Sequence, residues 1–131
     1  MKEFDHIGLV TDQPQPGESW VPLSKAWVTN PRVHPQRIEY IRPAETPTID
    51  PANVGLWKLW NLPHIAYRVD DLDREIVGEE IVFGPFEPGD FGRIVFLHKE
   101  GVVLEYLEYT TLDLWFGQQT PWRASGPPDV A

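Results

Sequence analysis

Two histidines and two glutamates occupy matching places in the two halves of the sequence. In each half a histidine begins an apolar run, and a glutamate follows later among aliphatic residues and a tyrosine. These four residues are His6, Glu39, His64 and Glu105. Burying imidazoles and carboxylates in apolar strands is unfavourable unless they are paired or bind an ion. Nitrogen and oxygen donors together suit Zn²⁺, Ni²⁺, Co²⁺, Mn²⁺ or Fe²⁺, so the pattern indicates a divalent metal site.

The chemistry open to such a site is proton transfer beside a polarised carbonyl or carboxylate. Two glutamates offset the charge of a divalent ion, which can then act as a Lewis acid on a substrate oxygen. A glutamate that loosens from the ion could act as a general base. Glu105 and Glu39 are the two candidates, and Glu105 is preferred because the second half of the sequence is the more complete.

The second half predicts the elements that would position its two candidates. Asp70 and Asp71 are suited to cap a helix over Leu72 to Gly78. Lys99-Glu100-Gly101 predicts a hairpin turn. The predicted strands are His64 to Val69, Ile81 to Pro85, Arg93 to His98 and Val102 to Tyr109. This order is β-α-β-β-β.

Alternation along the last of these strands separates its two glutamates. Glu105 shares a face with Val103 and Leu107, whereas Glu108 points to the opposite face. Only one of the two can therefore reach a given cavity, and the parallel with Glu39 selects Glu105.

The first half predicts fewer elements. Strands are expected over Phe4 to Thr11 and Arg37 to Arg42, with a short helix or an irregular segment over residues 18 to 31. Residues 43 to 61 contain three prolines and predict a connector, with a turn of helix near Val54 to Trp60 as one option.

Composition restricts the class of protein. With 131 residues, of which 41% are hydrophobic, the chain can form one packed domain. The absence of cysteine excludes disulfides and thiolate ligands. A net charge of −9 disfavours nucleic acid as a partner. The sequence shows no signal peptide and no apolar run of transmembrane length, so we expect a soluble, cytoplasmic protein without a membrane partner.

Several of these motifs resemble a known superfamily. The stretch His64-Ile-Ala-Tyr-Arg-Val-Asp-Asp-Leu-Asp73 resembles the opening of the second module of methylmalonyl-CoA epimerases, and so do residues 93 to 98 followed by 101 to 105. Glu39 with Pro43 four positions later is similar to the end of a first module. These features resemble the vicinal oxygen chelate superfamily, which includes glyoxalase I, the epimerases, extradiol dioxygenases and antibiotic-resistance proteins. The match is specific over residues 62 to 109 and loose over 1 to 43.

The resemblance implies an α+β fold in which two βαβββ modules form an open, curved mixed sheet around a metal-centred cup. It places module one at residues 1–43, a connector at 44–61 and module two at 62–109, in a single domain of residues 1–109 with a C-terminal tail of 110–131. The implied metal ligands are His6, Glu39, His64 and Glu105, a combination that resembles that of bacterial glyoxalase I. A homodimer is the oligomeric state that the resemblance suggests.

Three departures from the resemblance bear on the activity. Only 33 positions separate His6 from Glu39, against 41 between His64 and Glu105, so the first module is expected to be shortened and to lack its long helix. Epimerases usually have glutamine where this chain has Glu39. Counterparts of the second epimerase carboxylate and of the glutathione-binding residues are not found.

The remaining candidates are weaker. A substrate pocket could involve some of Trp27, Trp57, Trp60 and Arg68, although core packing and a surface ion pair are the ordinary roles of these residue types. His34 and His98 are expected to be structural or exposed.

The function expected from sequence is a metal-dependent isomerase, epimerase or lyase of the glyoxalase or epimerase type, acting on a small molecule. The alternative is a protein of the same fold that binds or sequesters a small molecule without chemistry. An extradiol-type dioxygenase is the third option and the least favoured, because such enzymes usually use two histidines and one glutamate.

Overall fold

A mixed sheet of eight strands forms the body of the protein. The computed structural model describes residues 2–44 and 61–122. The strands are β1 Lys2–Val10, β2 Ser19–Val21, β3 Ala26–Val28, β4 Ile38–Pro43, β5 His64–Val69, β6 Glu80–Gly89, β7 Gly92–Lys99 and β8 Val102–Tyr109, followed by a separate hairpin of β9 Leu114–Trp115 and β10 Gln118–Gln119. A short α-helix, α1, covers Leu72–Glu75, and a 3₁₀ turn covers Pro31–Val33.

The two halves of the sheet have the same topology. The strand order is β2-β3-β4-β1-β5-β8-β7-β6, so the first strand of each half lies at the centre and is followed outward by the fourth, third and second. The first and fourth strands pair parallel in both halves, and β1 pairs antiparallel with β5 across the centre. This curved mixed sheet confirms the predicted α+β cup of two related modules.

The first half is shortened as predicted. In the second half α1 connects β5 to β6, whereas in the first half residues 11 to 18 form a loop between β1 and β2. Two of its four strands, Ser19–Val21 and Ala26–Val28, have three residues each.

Residues 18 to 31 differ from the expectation of a short helix or an irregular segment. They contain the β2–β3 hairpin, in which Trp20 pairs with Trp27. The reason is a period of two: Val21, Ala26 and Val28 are buried on one face of the sheet while the two tryptophans lie on the other. The turn between the short strands conceals this alternation in the sequence.

The second half follows the sequence more closely. Strands β5 and β8 have the predicted bounds, and Asp71 caps α1 by accepting a hydrogen bond from the backbone N–H of Arg74. Helix α1 ends at Glu75, earlier than predicted, and β6 continues to Gly89. The prediction of a helical turn over residues 54 to 60 lies outside the described residues.

The core occupies both faces of the sheet. On the inner face of the cup, Val103 and Leu107 of β8 join a cluster with residues of β2, β3, β4 and β7. On the outer face, Leu72 of α1 packs against Tyr106 and its neighbours. Glu108 points to this outer side, where its carboxylate accepts a hydrogen bond from the backbone N–H of Leu72. The predicted separation of Glu105 from Glu108 is therefore confirmed.

The β9–β10 hairpin packs onto the inner face. Trp115 is buried and stacks on Phe91, with ring centroids 4.7 Å apart. The turn residues Phe116 and Gly117 both have positive φ, as a two-residue hairpin turn of type I′ requires.

Among the described residues, no helix is long and apolar enough to cross a membrane.

We predict that Trp115→Ala lowers the free energy of unfolding by about 3–5 kcal/mol, because it removes a large buried ring from the core. Urea unfolding followed by circular dichroism measures the change. Trp20→Ala is the matched control, since Trp20 is 42% exposed and its loss should change stability by about 1 kcal/mol or less. Equal losses in the two variants would contradict the assignment of Trp115 to the core.

Candidate metal centre

Two rows of residues cross the centre of the sheet and bring the four candidate ligands together. Residues paired side by side in adjacent strands project to the same face, and residues two apart in one strand do so as well. Each row contains a histidine from one half, a glutamate from the other half and a small residue between them. The rows are His6–Ala66–Glu105 and Glu39–Gly8–His64.

The small residue in each row leaves room for an imidazole ring. A Cβ atom added to Gly8 would lie 1.9 Å from Cε1 of His64, so only glycine is compatible with this ring position. Ala66 occupies the equivalent place in the other row and is fully buried. The close approach of ring and backbone, rather than a turn, explains the glycine in the middle of β1.

The ligand atoms converge on one point. Oε1 of Glu105 lies 3.0 Å from Nε2 of His6 and 3.0 Å from Nε2 of His64. Oε1 of Glu39 lies farther away, at 3.5 Å and 3.8 Å from the same two nitrogens. One ligand atom from each of the four residues falls within 4.8 Å of the others. Atoms bound to one ion at about 2.0–2.2 Å are separated by about 3–4.4 Å, so the four residues could hold a metal ion.

The hydrogen bonding of these atoms supports the same conclusion. All four residues are buried, yet among the described residues Nε2 of His6, Nε2 of His64 and Oε1 of Glu105 have no hydrogen-bond partner. Buried polar atoms are nearly always paired in folded proteins. These three atoms lie close together without hydrogen-bond geometry, which fits a shared cation, and the absence of cysteine fits a metal that prefers nitrogen and oxygen.

Without a metal, protons balance the buried charges. Burial alone lowers the pKa of His6, but the nearby charges of Glu39 and Glu105 and the hydrogen bond to Asp5 outweigh it and raise this pKa well above its usual value. Burial raises the pKa of Glu39, and the charge of Glu105 adds to that increase against the opposing effect of His6. For Glu105, burial is outweighed by the two adjacent imidazoles, which lower its pKa to about 2.

Asp5 holds His6 in place. Its Oδ2 lies 2.6 Å from Nδ1 of His6, and since an ionised carboxylate only accepts, Nδ1 donates and Nε2 is directed at the centre. Oδ1 of Asp5 accepts hydrogen bonds from the Tyr109 hydroxyl at 2.9 Å and the Trp122 indole at 2.8 Å. Although burial opposes it, these contacts lower the pKa of Asp5. A carboxylate behind a ligand histidine fixes the ring and increases its basicity.

Asp5 was not predicted from the sequence as a functional residue. The pairing of β1 with β5 shifts register between Phe4 and His6, so Asp5 sits in a β-bulge and both Asp5 and His6 are buried. Strict alternation places Asp5 on the opposite face. Its position directly before a candidate ligand was the one available signal, and the partner Trp122 is 117 positions away in the chain.

Two buried arginines contact the aromatic partners of this carboxylate. Nη1 of Arg32 donates to the backbone oxygen of Thr120 at 2.6 Å, and its guanidinium lies over the Tyr109 ring at 5.1 Å. The Arg37 guanidinium lies 5.3 Å from the centre of the Trp122 ring. The C-terminal residues 115 to 122 therefore cover the side of His6 that carries Asp5.

A mostly apolar cavity opens beside the two glutamates. Its volume is about 40 Å³, which is room for about three water molecules. Glu39 and Glu105 line it, and strands β2, β3, β4, β6 and β7 and the β9–β10 turn supply its other walls. The candidate ligands thus face a place where a small molecule could bind.

The weaker pocket candidates lie elsewhere. Trp27 projects from the other face of its strand, beneath the guanidinium of Arg42 at 4.0 Å, and does not line the cavity. Arg68 forms an ion pair with Glu3 and packs on Trp122, so it too is absent from the lining. Trp57 and Trp60 lie outside the described residues.

The other two histidines stand apart from the cluster. The ring centroids of His34 and Tyr40 are 6.0 Å apart. Nδ1 of His98 lies 3.0 Å from Oε2 of Glu80 near the surface. Among the described residues, the metal-ligand cluster includes neither.

Comparison with solved structures shows the fold that this site belongs to. A hypothetical protein of Bacillus halodurans C-125 superposes with a TM-score of 0.59 at 19% identity, over 83% of this chain and 95% of that chain. Methylmalonyl-CoA epimerase of Mycobacterium tuberculosis superposes with a TM-score of 0.58 at 20% identity, over 82% of this chain and 88% of that chain. No family model and no curated protein matches the sequence. The predicted likeness to methylmalonyl-CoA epimerase is confirmed for the fold.

We predict that Asp5→Asn weakens Zn²⁺ binding about 10- to 100-fold, because the ring of His6 loses its anionic partner. Competition with a chromophoric chelator measures the affinity. Asp12→Asn is the control, since Asp12 is exposed in the loop after β1 and should leave the affinity unchanged. An unaltered affinity in Asp5→Asn would show that Asp5 does not support a ligand.

We also predict that metal affinity rises with pH. The raised pKa of His6 means that the metal-free protein carries a proton there at neutral pH, and a metal must displace it. Release of one proton changes the apparent Kd about tenfold for each pH unit below that pKa. Titration calorimetry in buffers of different ionisation enthalpy counts the protons, and binding without proton release between pH 6 and 7 would contradict the assignment.

Proposed function

We propose that this protein is a metal-dependent enzyme of the glyoxalase or epimerase type that moves a proton next to a carbonyl or carboxylate of a small substrate. The observation that carries the proposal is the convergence of unpaired imidazole and carboxylate atoms from both halves of the sheet, beside a cavity that Glu39 and Glu105 line. An isomerase, an epimerase and a lyase all fit this chemistry.

The residues have separable roles in the proposal. A bound divalent ion would supply Lewis-acid activation of a substrate oxygen. His6 and His64 would hold the ion, and Asp5 would keep the ring of His6 in position. A glutamate at the cavity would accept the proton from the carbon beside the carbonyl and return it to that carbon or its neighbour, so the reaction needs no oxidant or reductant.

We propose Glu39 as the base and Glu105 as the more firmly held ligand. Both line the cavity, but Glu39 lies farther from the two imidazoles than Glu105 does. The pKa of Glu39 is raised while that of Glu105 is lowered, and a carboxylate with the higher pKa is the stronger base. This order reverses the preference taken from the sequence, where the more complete second half favoured Glu105.

The alternative is a protein of the same fold that binds a small molecule without chemistry. The apolar lining favours it, because few groups are available to direct a reaction. The two carboxylates inside the cavity favour the enzyme, since a binding protein needs no base there. The structurally similar protein from Mycobacterium tuberculosis is an epimerase, but similarity of fold is compatible with either function.

The first test measures the metal content of the protein. We expect untagged protein to bind about one equivalent of Zn²⁺ or Co²⁺, and His64→Ala and Glu105→Ala to lose it, because each removes a ligand atom. Plasma emission spectrometry after desalting measures the content. His98→Ala is the control, since His98 lies outside the cluster. A wild-type protein that cannot be loaded with any divalent metal would contradict the proposal.

The second test separates the enzyme from the binding protein. In deuterated water, the metal-loaded enzyme should exchange the proton next to the carbonyl of a substrate drawn from α-keto acids, acyl thioesters, hemithioacetals and hydroxyketones. Glu39→Gln should slow the exchange about 10²- to 10⁴-fold and still bind metal. Nuclear magnetic resonance follows the exchange. Binding of a ligand without any exchange would favour the sequestering protein.

A further inference from the structure

The cavity beside the candidate ligands has almost no polar lining. Among the described residues, its polar members are Ser24, Glu39 and Glu105. All the others are apolar: Val21, Ala26, Val28, Ile41, Phe86, Pro88, Ile94, Phe96 and Phe116. A substrate in this cavity would therefore meet one hydroxyl and two carboxylates, with hydrocarbon on the remaining walls.

The charge of the loaded site would be close to zero. Two carboxylates balance a divalent ion when both imidazoles are neutral, so the ion leaves no excess positive charge for an anion. Of the described residues, no lysine or arginine lines the cavity. An anionic group beyond the ion would be buried in apolar surroundings without a counter-charge, which is strongly unfavourable.

The arginines near the sheet are engaged elsewhere. Arg32 bonds to the backbone of Thr120 and packs on aromatic rings. Arg42 makes two hydrogen bonds to Glu18, and Arg68 pairs with Glu3. None of the three lines the cavity, so a substrate anion held there would not meet their charge directly.

The β9–β10 turn limits the space in the cavity on one side. Phe116 stands at the tip of the β9–β10 hairpin, and a Cβ atom added to Gly89 would lie 2.9 Å from its ring. The ring thus packs closely against β6 and forms one wall of a space of about 40 Å³.

We propose that the site takes a small, uncharged carbonyl compound with an apolar body, and that Phe116 sets the upper limit of its length. This inference rests on the proposed function and names its substrate class. The substrate oxygen faces the ligand cluster and its hydrocarbon part lies against Val28, Ile94 and Phe96. Phosphorylated thioesters and small carboxylates are excluded by charge.

A matched pair of probes tests the charge preference. Acetoin and lactate have the same number of heavy atoms and both carry a hydroxyl group on the carbon next to a C=O group, but only lactate is an anion. In free solution the anion is the better ligand for Co²⁺, so the cavity must reverse that order. We expect acetoin to perturb the visible spectrum of the Co²⁺ protein with a Kd at least about tenfold lower than that of lactate.

The outcomes are distinct from those of the metal test. Loss of Co²⁺ binding contradicts the proposed function as well as this inference. Retained Co²⁺ with lactate bound as tightly as acetoin, or with neither bound, overturns this inference alone. In Val28→Lys, which places an ammonium at the cavity wall, lactate binding should improve about tenfold or more relative to acetoin. An unchanged ratio in a folded, metal-loaded variant also counts against the inference.

A homologous series tests the length limit. We expect the wild-type protein to bind acetoin but to bind butyroin, its longer homologue, at least about fivefold more weakly, and Phe116→Ala to remove this difference. Phe4→Ala is the matched control, because Phe4 is 40% exposed and does not line the cavity. Equal binding of both homologues by the wild-type protein would overturn the role of Phe116.

Discussion

The pairing of β1 with β5 is the constraint on which the site depends. These two strands are the innermost strands of their halves, and their register places Gly8 opposite His64 and Ala66 opposite His6. A slip of one residue would turn one strand's set of side chains to the other face of the sheet. It would also put larger side chains where the imidazole rings now lie. The register is therefore specified twice, by the burial of an apolar face and by the fit of rings over small residues.

The second constraint is the burial of charged side chains, which need partners inside the protein. The structure places three carboxylates and two imidazoles within one small region, and two arginines close to it. Two of these groups are held by specific hydrogen bonds: Asp5 accepts from Tyr109 and Trp122, and Arg32 donates to Thr120. Nδ1 of His64, in contrast, has no hydrogen-bond partner among the described residues, and the ring is positioned by Gly8 and by Phe96 at 5.2 Å. The two histidines occupy matching places in the sequence, but a hydrogen bond orients His6 whereas packing positions His64.

Much of the site follows from local pattern, and the rest from long-range contacts that leave no trace in the sequence. His64 and Glu105 lie in regular strands, where alternation gives the face of each side chain. The β2–β3 hairpin was missed because three-residue strands are too short to show their period. Asp5 was missed because a bulge breaks the alternation. The wall formed by Phe116 arises from a hairpin near the end of the chain, and no local feature predicts where that hairpin will pack.

Each row of ligands joins one half of the protein to the other, since His6 shares its row with Glu105 and His64 shares its row with Glu39. An ion bound by both rows would therefore hold the two halves together at the seam, which is the pairing of β1 with β5. By mass action, an ion that binds the joined halves and not the separated ones stabilises the seam in proportion to the logarithm of its concentration. The unfolding of the short first half would then be coupled to that of the more regular second half. The shortened module would then owe part of its stability to the site that it shares with its neighbour.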